Sequence, residues 1–327
     1  MVYFLIILND IDNLIIKNIM VKLENKYPLV IIGMGPAGYS ASIYASRYNV
    51  KHILIGAQMG GQMGEAHIIE NYPGIPHITG AELTQKMREH ALKFGAVEVF
   101  DKVVKLSKDG ENFVIKTAQD KEYLSTAVIL ALGTSKRHLN VPGEKEFYGK
   151  GVTYCATCDG PFYRDKVVAV IGGGDAANTA SLYLAEIAKQ VYQIVINDHL
   201  DGEEIWQQKV LNNPKIKVIF NTTVKEFNGD QRLKSIKLTN GQELDVDGAF
   251  IEIGSMPDVN IGDISLEVDD FGFVKVKADQ STNIPGIFAA GDLTTGSNKF
   301  RQIATAISEG AIAAASATRY LRQKSAV

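Results

Sequence analysis

Leu29-Val30-Ile31-Ile32-Gly33-Met34-Gly35-Pro36-Ala37-Gly38 is the stretch that decides the fold. Four consecutive apolar residues read as a strand buried on both faces, as in a parallel sheet. The glycine pattern behind them, GxGxxG, leads into a helical stretch to Tyr48, and this strand-turn-helix context gives each position a task. Gly33 permits the tight turn, Gly35 lets a pyrophosphate approach the backbone, and Gly38 lets the helix pack close to the strand. Pro36 and Ala37 open the helix, whose unpaired N–H groups and partial positive charge favour phosphate.

The pattern occurs twice. Val167-Val168-Ala169-Val170-Ile171 runs into Gly172-Gly173-Gly174-Asp175-Ala176-Ala177, with Ala177 as the smallest side chain that still allows close packing where a third glycine would stand. A helix to about Ala188 and a strand from Val191 to Ile196 follow. Behind each fingerprint, turns at Asp109-Gly110 and Asn240-Gly241 mark a β-meander. Each meander ends in a similar strand and glycine, Ala127 to Gly133 and Gly248 to Gly254. One dinucleotide-binding module is used twice, which defines an α/β fold of two Rossmann-like, three-layer domains with β-meanders.

Cys155-Ala156-Thr157-Cys158-Asp159 lies just ahead of the second fingerprint and holds the only two cysteines among 327 residues. That spacing points to redox chemistry. A zinc site would need four ligands, and no further Cys or His lies nearby, so no metal is expected. Two inert buried thiols are the remaining alternative. Electrons reach a disulfide from a pyridine nucleotide through a flavin, so two dinucleotide modules suit a CxxC pair.

Composition narrows the partners. With 46% hydrophobic and 22% charged residues and a net charge of -3, there is no basic excess for nucleic acid or an anionic membrane. Two thiols make no disulfide framework, which points to a reducing compartment such as the cytoplasm. The apolar start, Tyr3 to Leu8, is broken by Asn9, Asp10 and Asp12 and is too short to span a bilayer. It also lacks the flanks of a secretory signal. Residues 1–25 read as an extension, with Met20 as an alternative start.

Together with Gly60-Gly61-Gln62, Glu70-Asn71-Tyr72-Pro73-Gly74 and Ile284-Pro285-Gly286-Ile287-Phe288-Ala289-Ala290-Gly291-Asp292, these motifs resemble the low-molecular-weight (class II) thioredoxin reductases from about Tyr27 to Leu321. These are FAD-dependent members of the pyridine nucleotide-disulphide oxidoreductases. The resemblance implies a homodimer in which a nucleotide and CxxC domain, residues 141–248, is inserted into an FAD domain split into 26–140 and 249–327. It implies FAD held by Gly33, Gly35, Pro36, Ala37, Gly38, Gln58, Gly61, Gln62, Asn71, Gly133, Gly291, Asp292, Arg301, Gln302 and Ile303. Asp292 corresponds to the ribityl-chain ligand, ahead of an alanine-rich helix from about Arg301 to Leu321 whose N-terminus would stabilise negative charge on a reduced flavin. Cys158 corresponds to the thiol next to the flavin, Cys155 to the thiol that attacks the partner disulfide, and Asp159 to the acid that gives and takes the thiol proton. The family cycle is a domain rotation, with hinges expected near Asn140-Val141-Pro142-Gly143 and Val246-Asp247-Gly248.

One departure bears on the electron donor. Members that use NADPH carry His-Arg-Arg and a further Arg after the second strand of the nucleotide domain. Here Ile196-Asn197-Asp198-His199-Leu200-Asp201-Gly202-Glu203-Glu204 holds no arginine and four acids, which repel a 2′-phosphate and offer it no bidentate partner. NADPH is disfavoured. Gly172, Gly174, Asp175 and Ala177 are retained for a nicotinamide nucleotide, and Asp198 has the spacing to accept from a free ribose hydroxyl, as in NADH. Relatives with a degraded clamp take electrons from ferredoxin or another donor. Gln58 stands where the FAD ribose would meet an acid, and its amide can still bond hydroxyls. The reading is therefore a flavin-dependent reductase of a thioredoxin-like protein. Its alternatives are a ferredoxin-linked enzyme, a reductase of a glutaredoxin- or peroxiredoxin-like partner, and a non-catalytic flavin or nucleotide sensor.

Overall fold

The computed structural model describes residues 25–326 except 258 and 260; apart from Asn25 the expected extension, with Met20, lies outside them. The described chain divides into two compact units, one comprising residues up to Gly64, Ala81–Gly133 and Pro257 onward, the other Glu65–Gly80 and Thr134–Met256.

The first unit opens with β1 (Lys26–Ile32), α1 (Pro36–Arg47), β2 (His52–Gly56), the short α2 (Gly61–Gly64), α3 (Gly80–Lys93) and β3 (Val97–Phe100). The meander β4 (Val103–Asp109), β5 (Asn112–Thr117) and β6 (Glu122–Leu130) follows. Strands β3, β2, β1 and β6 are parallel, with Ile31 opposite Leu54 on one side and Ile129 on the other. β5 pairs antiparallel with the first half of β6. Alternation along β1 explains its continuous apolar run, because Leu29 and Ile31 enter one core and Val30 and Ile32 the other. Both faces are covered, so no position tolerates a polar side chain.

The second unit repeats this plan. After β7 (Thr134–Lys136) and β8 (Val152–Thr153) come the cysteine turn α4 (Ala156–Asp159), a 3-10 turn (Gly160–Tyr163), β9 (Val167–Ile171), α5 (Asp175–Ile187), β10 (Gln190–Ile194), α6 (Glu204–Leu211) and β11 (Ile216–Ile219). The meander β12 (Val224–Gly229), β13 (Leu233–Leu238) and β14 (Glu243–Asp245) forms its own antiparallel sheet. β15 (Gly248–Ile251) then returns between β9 and β8 in a parallel sheet of order β11-β10-β9-β15-β8. β10 ends two residues before Ile196, whose side chain is exposed. β16 (Ser255–Pro257) pairs with β7. Inside this unit Thr134 Oγ1 donates to Ser255 Oγ at 2.8 Å, and the half-buried Lys136 meets the buried Glu252 at 2.9 Å.

The chain closes in the first unit with β17 (Ile287–Ala289), parallel to the second half of β6, and α7 (Ile303–Ser325). α7 starts two residues after Arg301. Gln302 caps it reciprocally with Thr305, and the Gln302 N–H donates to Thr305 Oγ1 at 3.0 Å. Among the described residues no helix is long and apolar enough to cross a membrane.

Candidate active site

In the first unit the fingerprint loop is shaped by what a Cβ would strike. Gly33 has φ +118°, and a Cβ there would lie 2.0 Å from the Ala131 carbonyl oxygen. One on Gly38 would lie 1.8 Å from the oxygen of Gly33, so these two glycines serve the turn and the helix-strand contact. Gly35 differs: its nearest obstruction is the Gly60 oxygen at 4.0 Å, leaving the backbone open to a ligand. The Gly60–Gly61 turn lies against it, with the Gly60 N–H bonded to the Met34 oxygen at 2.8 Å. α1 has no side-chain cap and no acid in its first turn, so its N-terminal N–H groups suit a phosphate.

The N-terminal part of α7 converges on the same place. A Cβ on Gly310 would lie 2.2 Å from the Ala37 oxygen, and one on Gly291 would lie 3.1 Å from the Ala37 Cβ and 3.7 Å from that of Ala306. α1 and α7 therefore cross closely, with the loop after β17 between them. Glu309 anchors that loop. It is 4% exposed and its Oε2 accepts the Gly291 N–H at 2.8 Å and the Thr294 hydroxyl at 3.0 Å. Asp292 sits in the held loop. Burial raises its carboxyl to about 6, against the lowering effect of Arg301 and with a further rise from Glu309. Arg301 Nε donates to the Asp292 carbonyl at 3.3 Å, and its guanidinium lies 3.7 Å over the Phe273 ring.

The first unit thus brings Gly33, Gly35, Pro36, Ala37, Gly38 and Gly61 together with Gly291, Asp292, Arg301, Gln302 and Ile303. Gln58 follows β2, Gln62 lies in α2, and Gly133, with φ +65° and no atom within 4 Å of a Cβ, follows β6. An open glycine backbone, an uncapped helix start and a carboxyl raised by burial fit a dinucleotide with its diphosphate and hydroxyls. Asn71 belongs to the second unit, where its Nδ2 donates to Glu203 Oε1 at 3.1 Å.

In the second unit Cys155 and Cys158 form a disulfide with Cα atoms 5.3 Å apart. Cys155 is the N-cap of α4, and its Sγ accepts the Cys158 N–H at 3.1 Å. Asp159 closes the turn, with its N–H on the Cys155 oxygen at 3.2 Å and one carboxylate oxygen bonded to the Thr153 hydroxyl. Immediately before the cysteines, Tyr154 donates to the buried Glu144 at 2.5 Å. Burial would raise the Glu144 carboxyl, but Tyr154 and the N–H groups of Leu139, Asn140 and Val141 hold it below its usual range. The Leu139–Val141 segment is thereby gripped from inside this unit.

The second fingerprint has the geometry of the first. Gly172 has φ +141° and no room for a Cβ against the Glu252 oxygen at 2.1 Å, Ala177 is fully buried, and Gly174 faces open space. Its surroundings are acidic. Asp175 Oδ1 accepts the Glu203 N–H at 2.7 Å, and the Asp201 N–H donates to the Gly173 oxygen at 2.7 Å. Asp198 lies exposed 2.6 Å from His199 Nδ1, and Asp201 Oδ1 is 3.3 Å from the other ring nitrogen. The hydrogen bond with His199 lowers the Asp198 carboxyl and raises the imidazole.

Sequence reasoning passed over Glu309, Thr153 and the Lys136–Glu252 pair. Glu309 had a signal: it falls three residues after Ala306 and four before Ala313, on the apolar face of α7. Lys136 and Glu252 meet only through tertiary structure.

Two dinucleotide-type units, one with a CxxC disulfide beside its fingerprint, define a flavin-dependent disulfide oxidoreductase. The pyridine nucleotide-disulphide oxidoreductase family matches residues 27–310, and the chain belongs to that family. It is 39% identical to a thioredoxin reductase of Peptoclostridium acidaminophilum, over 91% of this chain and 98% of the relative. Among solved structures it is similar to the thioredoxin reductase of Lactococcus lactis, with TM-score 0.87, 37% identity and coverage of 91% and 99%. It is also similar to a ferredoxin-flavin thioredoxin reductase from Clostridium acetobutylicum, with TM-score 0.52, 32% identity and coverage of 92% and 99%. The low-molecular-weight thioredoxin reductases are thus its kind, flavoenzymes that act on a sulfur group.

Proposed function

We propose that this chain is an FAD-dependent reductase of a thioredoxin-like protein, working in the cytoplasm as a homodimer and drawing its electrons from a donor other than NADPH. The observation that carries the reading is the Cys155–Cys158 disulfide at the N-terminus of α4, with Asp159 closing the same turn. Bound FAD supplies a two-electron carrier between the donor and that disulfide. The loop at Gly33 to Gly38 and the start of α1 would hold its diphosphate, and Asp292 and the N-terminus of α7 its ribityl and ring portions; Asn71 joins them as a FAD ligand by resemblance.

Two electrons and two protons convert the Cys155–Cys158 bond to two thiols. Cys155, as thiolate, attacks the partner disulfide, breaking that bond and forming a mixed disulfide. Cys158 then attacks the Cys155 sulfur, which restores the internal bond and releases the partner as a dithiol. Asp159 takes and returns the thiol proton.

The donor reading rests on charge. Asp198, Asp201, Glu203 and Glu204 stand where a 2′-phosphate would need cations. NADH, held by Gly172, Gly174, Asp175 and Ala177, meets no such repulsion. A second reading, in which ferredoxin delivers the electrons, is favoured by two observations: Asp198 is engaged by His199, and the chain is similar to a ferredoxin-flavin thioredoxin reductase.

Anaerobic titration with NADPH, NADH and reduced ferredoxin, read at the flavin absorbance, tests the donor. Fast bleaching by NADPH would end this donor reading. Cys155→Ser should leave a Cys158 thiolate and a long-wavelength flavin band; an unchanged spectrum with full turnover would remove both cysteine roles.

A further inference from the structure

β8 is an edge strand of the second unit, and its last residue, Thr153, is in register with Phe250 of β15. Thr153 is 5% exposed, so a β-branched side chain in a strand holds its hydroxyl in one direction. That hydroxyl works on both sides. It donates to Asp159 Oδ2 and accepts the Cys155 N–H at 3.2 Å. Its one donor and one of its two acceptor sites are thus used inside the CxxC turn rather than on the sheet.

Two groups of the turn are fixed to the strand by this single atom, and a backbone bond ties them to each other. The backbone of Cys155 is tied to the strand, the Asp159 carboxylate is tied to the same strand, and the Asp159 N–H is bonded to the Cys155 oxygen at 3.2 Å. A carboxylate on a short turn would otherwise rotate about its side-chain torsions. With Oδ2 held by Thr153, the carboxylate keeps its second oxygen for another partner. A rigid element thereby supports a mobile functional group, as efficient proton transfer requires.

We propose that Thr153 is a positioning residue for disulfide exchange, holding Asp159 and Cys155 in the mutual arrangement in which the carboxylate exchanges the thiol proton. The proposal rests on the reading of Asp159 as that proton carrier. It adds no bond-making step: the proton leaving the thiol goes to the Asp159 carboxylate, and Thr153 keeps its own.

The test uses the FAD-loaded protein with Thr153→Val, Thr153→Ser, Asp159→Asn and the Val/Asn double variant, each reduced anaerobically with dithionite. The rate of reaction with 5,5′-dithiobis(2-nitrobenzoic acid) is then followed from pH 6 to 9. Asp159→Asn should displace the pH profile. Thr153→Val should displace it in the same direction and slow the neutral-pH rate on the order of tenfold, part of the roughly hundredfold or more that positioned proton transfer contributes. Thr153→Ser, which keeps the hydroxyl, should overlay the wild type, and the double variant should be no slower than Asp159→Asn alone.

A Thr153→Val profile identical to wild type beside a displaced Asp159→Asn profile would overturn the positioning role alone. Two unmoved profiles would remove the Asp159 reading and this proposal with it. Strictly additive effects in the double variant would also overturn it, because the two residues would then act separately. Circular dichroism and flavin absorbance report folding; if Thr153→Val loses either, Thr153→Ala takes its place in the same comparison.

Discussion

Replacing Glu309 probes how the first unit holds the loop after β17, the one proposed to meet FAD. The carboxylate accepts two buried hydrogen bonds, from Gly291 and Thr294, and bonds to a charged acceptor contribute about 1.5–3 kcal/mol each. Burying the carboxylate is itself costly, so the net value of the arrangement is smaller than that of its bonds. Truncation orphans the donors, and each costs about 1–3 kcal/mol when left without a partner. Glu309→Ala should therefore destabilise the first unit by about 2–6 kcal/mol, a large share of the roughly 5–15 kcal/mol that a domain has in total. Glu309→Gln keeps the packing and one acceptor oxygen, and should lose about 1–2 kcal/mol by the same estimate. Both should also weaken FAD binding, because the loop released is the one that carries Asp292. Urea unfolding of FAD-free protein and quenching of FAD fluorescence on titration measure the two effects separately. A Glu309→Ala protein within about 1 kcal/mol of wild type, with unchanged FAD affinity, would refute the anchoring role.

Other perturbations have outcomes of definite sign. The Asp292 carboxyl at about 6, above its ordinary 3.8, contributes stability that is fully present below about pH 4 and lost as pH rises through about 6, roughly 2–3 kcal/mol for such a shift. Asp292→Asn should accordingly raise the Tm of FAD-free protein at pH 7.5 and leave it nearly unchanged at pH 4; equal shifts at both would contradict the burial argument. Burial raises the Glu252 carboxyl and Lys136 opposes that rise, so Lys136→Met should cost about 2–3 kcal/mol in thermal unfolding, with much of it recovered in a Lys136→Met/Glu252→Met double variant. Failure of the double variant to recover would show that the pair is not the source of the loss. Gly310→Ala would place a methyl 2.2 Å from the Ala37 oxygen, and such overpacking costs about 1–3 kcal/mol or more. Lower Tm and loss of bound FAD are expected, and an unchanged protein would mean that α1 and α7 cross with room to spare.

Both glycine fingerprints, their flanking strands, the two meanders and the final helix were legible in the sequence, because each is a local pattern with a backbone cause. The positive φ of Gly33 and Gly172 and the doubly buried runs at Leu29–Ile32 and Val168–Ile171 are of this kind. The CxxC turn was legible for the same reason. What the sequence hid depends on distant partners. Glu309 looks like one acid in an alanine-rich helix until the loop after β17 folds against it, and Thr153 looks like an ordinary strand residue. Asp198 has the spacing of a ribose ligand, yet its neighbour His199 and the later Asp201 form a cluster with it that spacing alone does not reveal. Segment Glu65–Gly80 groups with the second unit, where Glu70 meets Lys209 at 3.7 Å and His67 stacks on Tyr183; no local signal announces such an association.

The seating of Gly310 on Ala37 has a consequence for biosynthesis. At roughly 5–20 residues per second, the ribosome delivers the last helix on the order of 15–55 s after the first. Throughout that interval the apolar side of the nascent Pro36–Arg47 helix has no permanent cover, and the anchoring carboxylate has not yet been synthesised. If FAD sits in the cradle proposed above, its capture is therefore a late event, completed only once α7 has left the ribosome. A product lacking α7 would emerge colourless and would depend on chaperones to stay in solution.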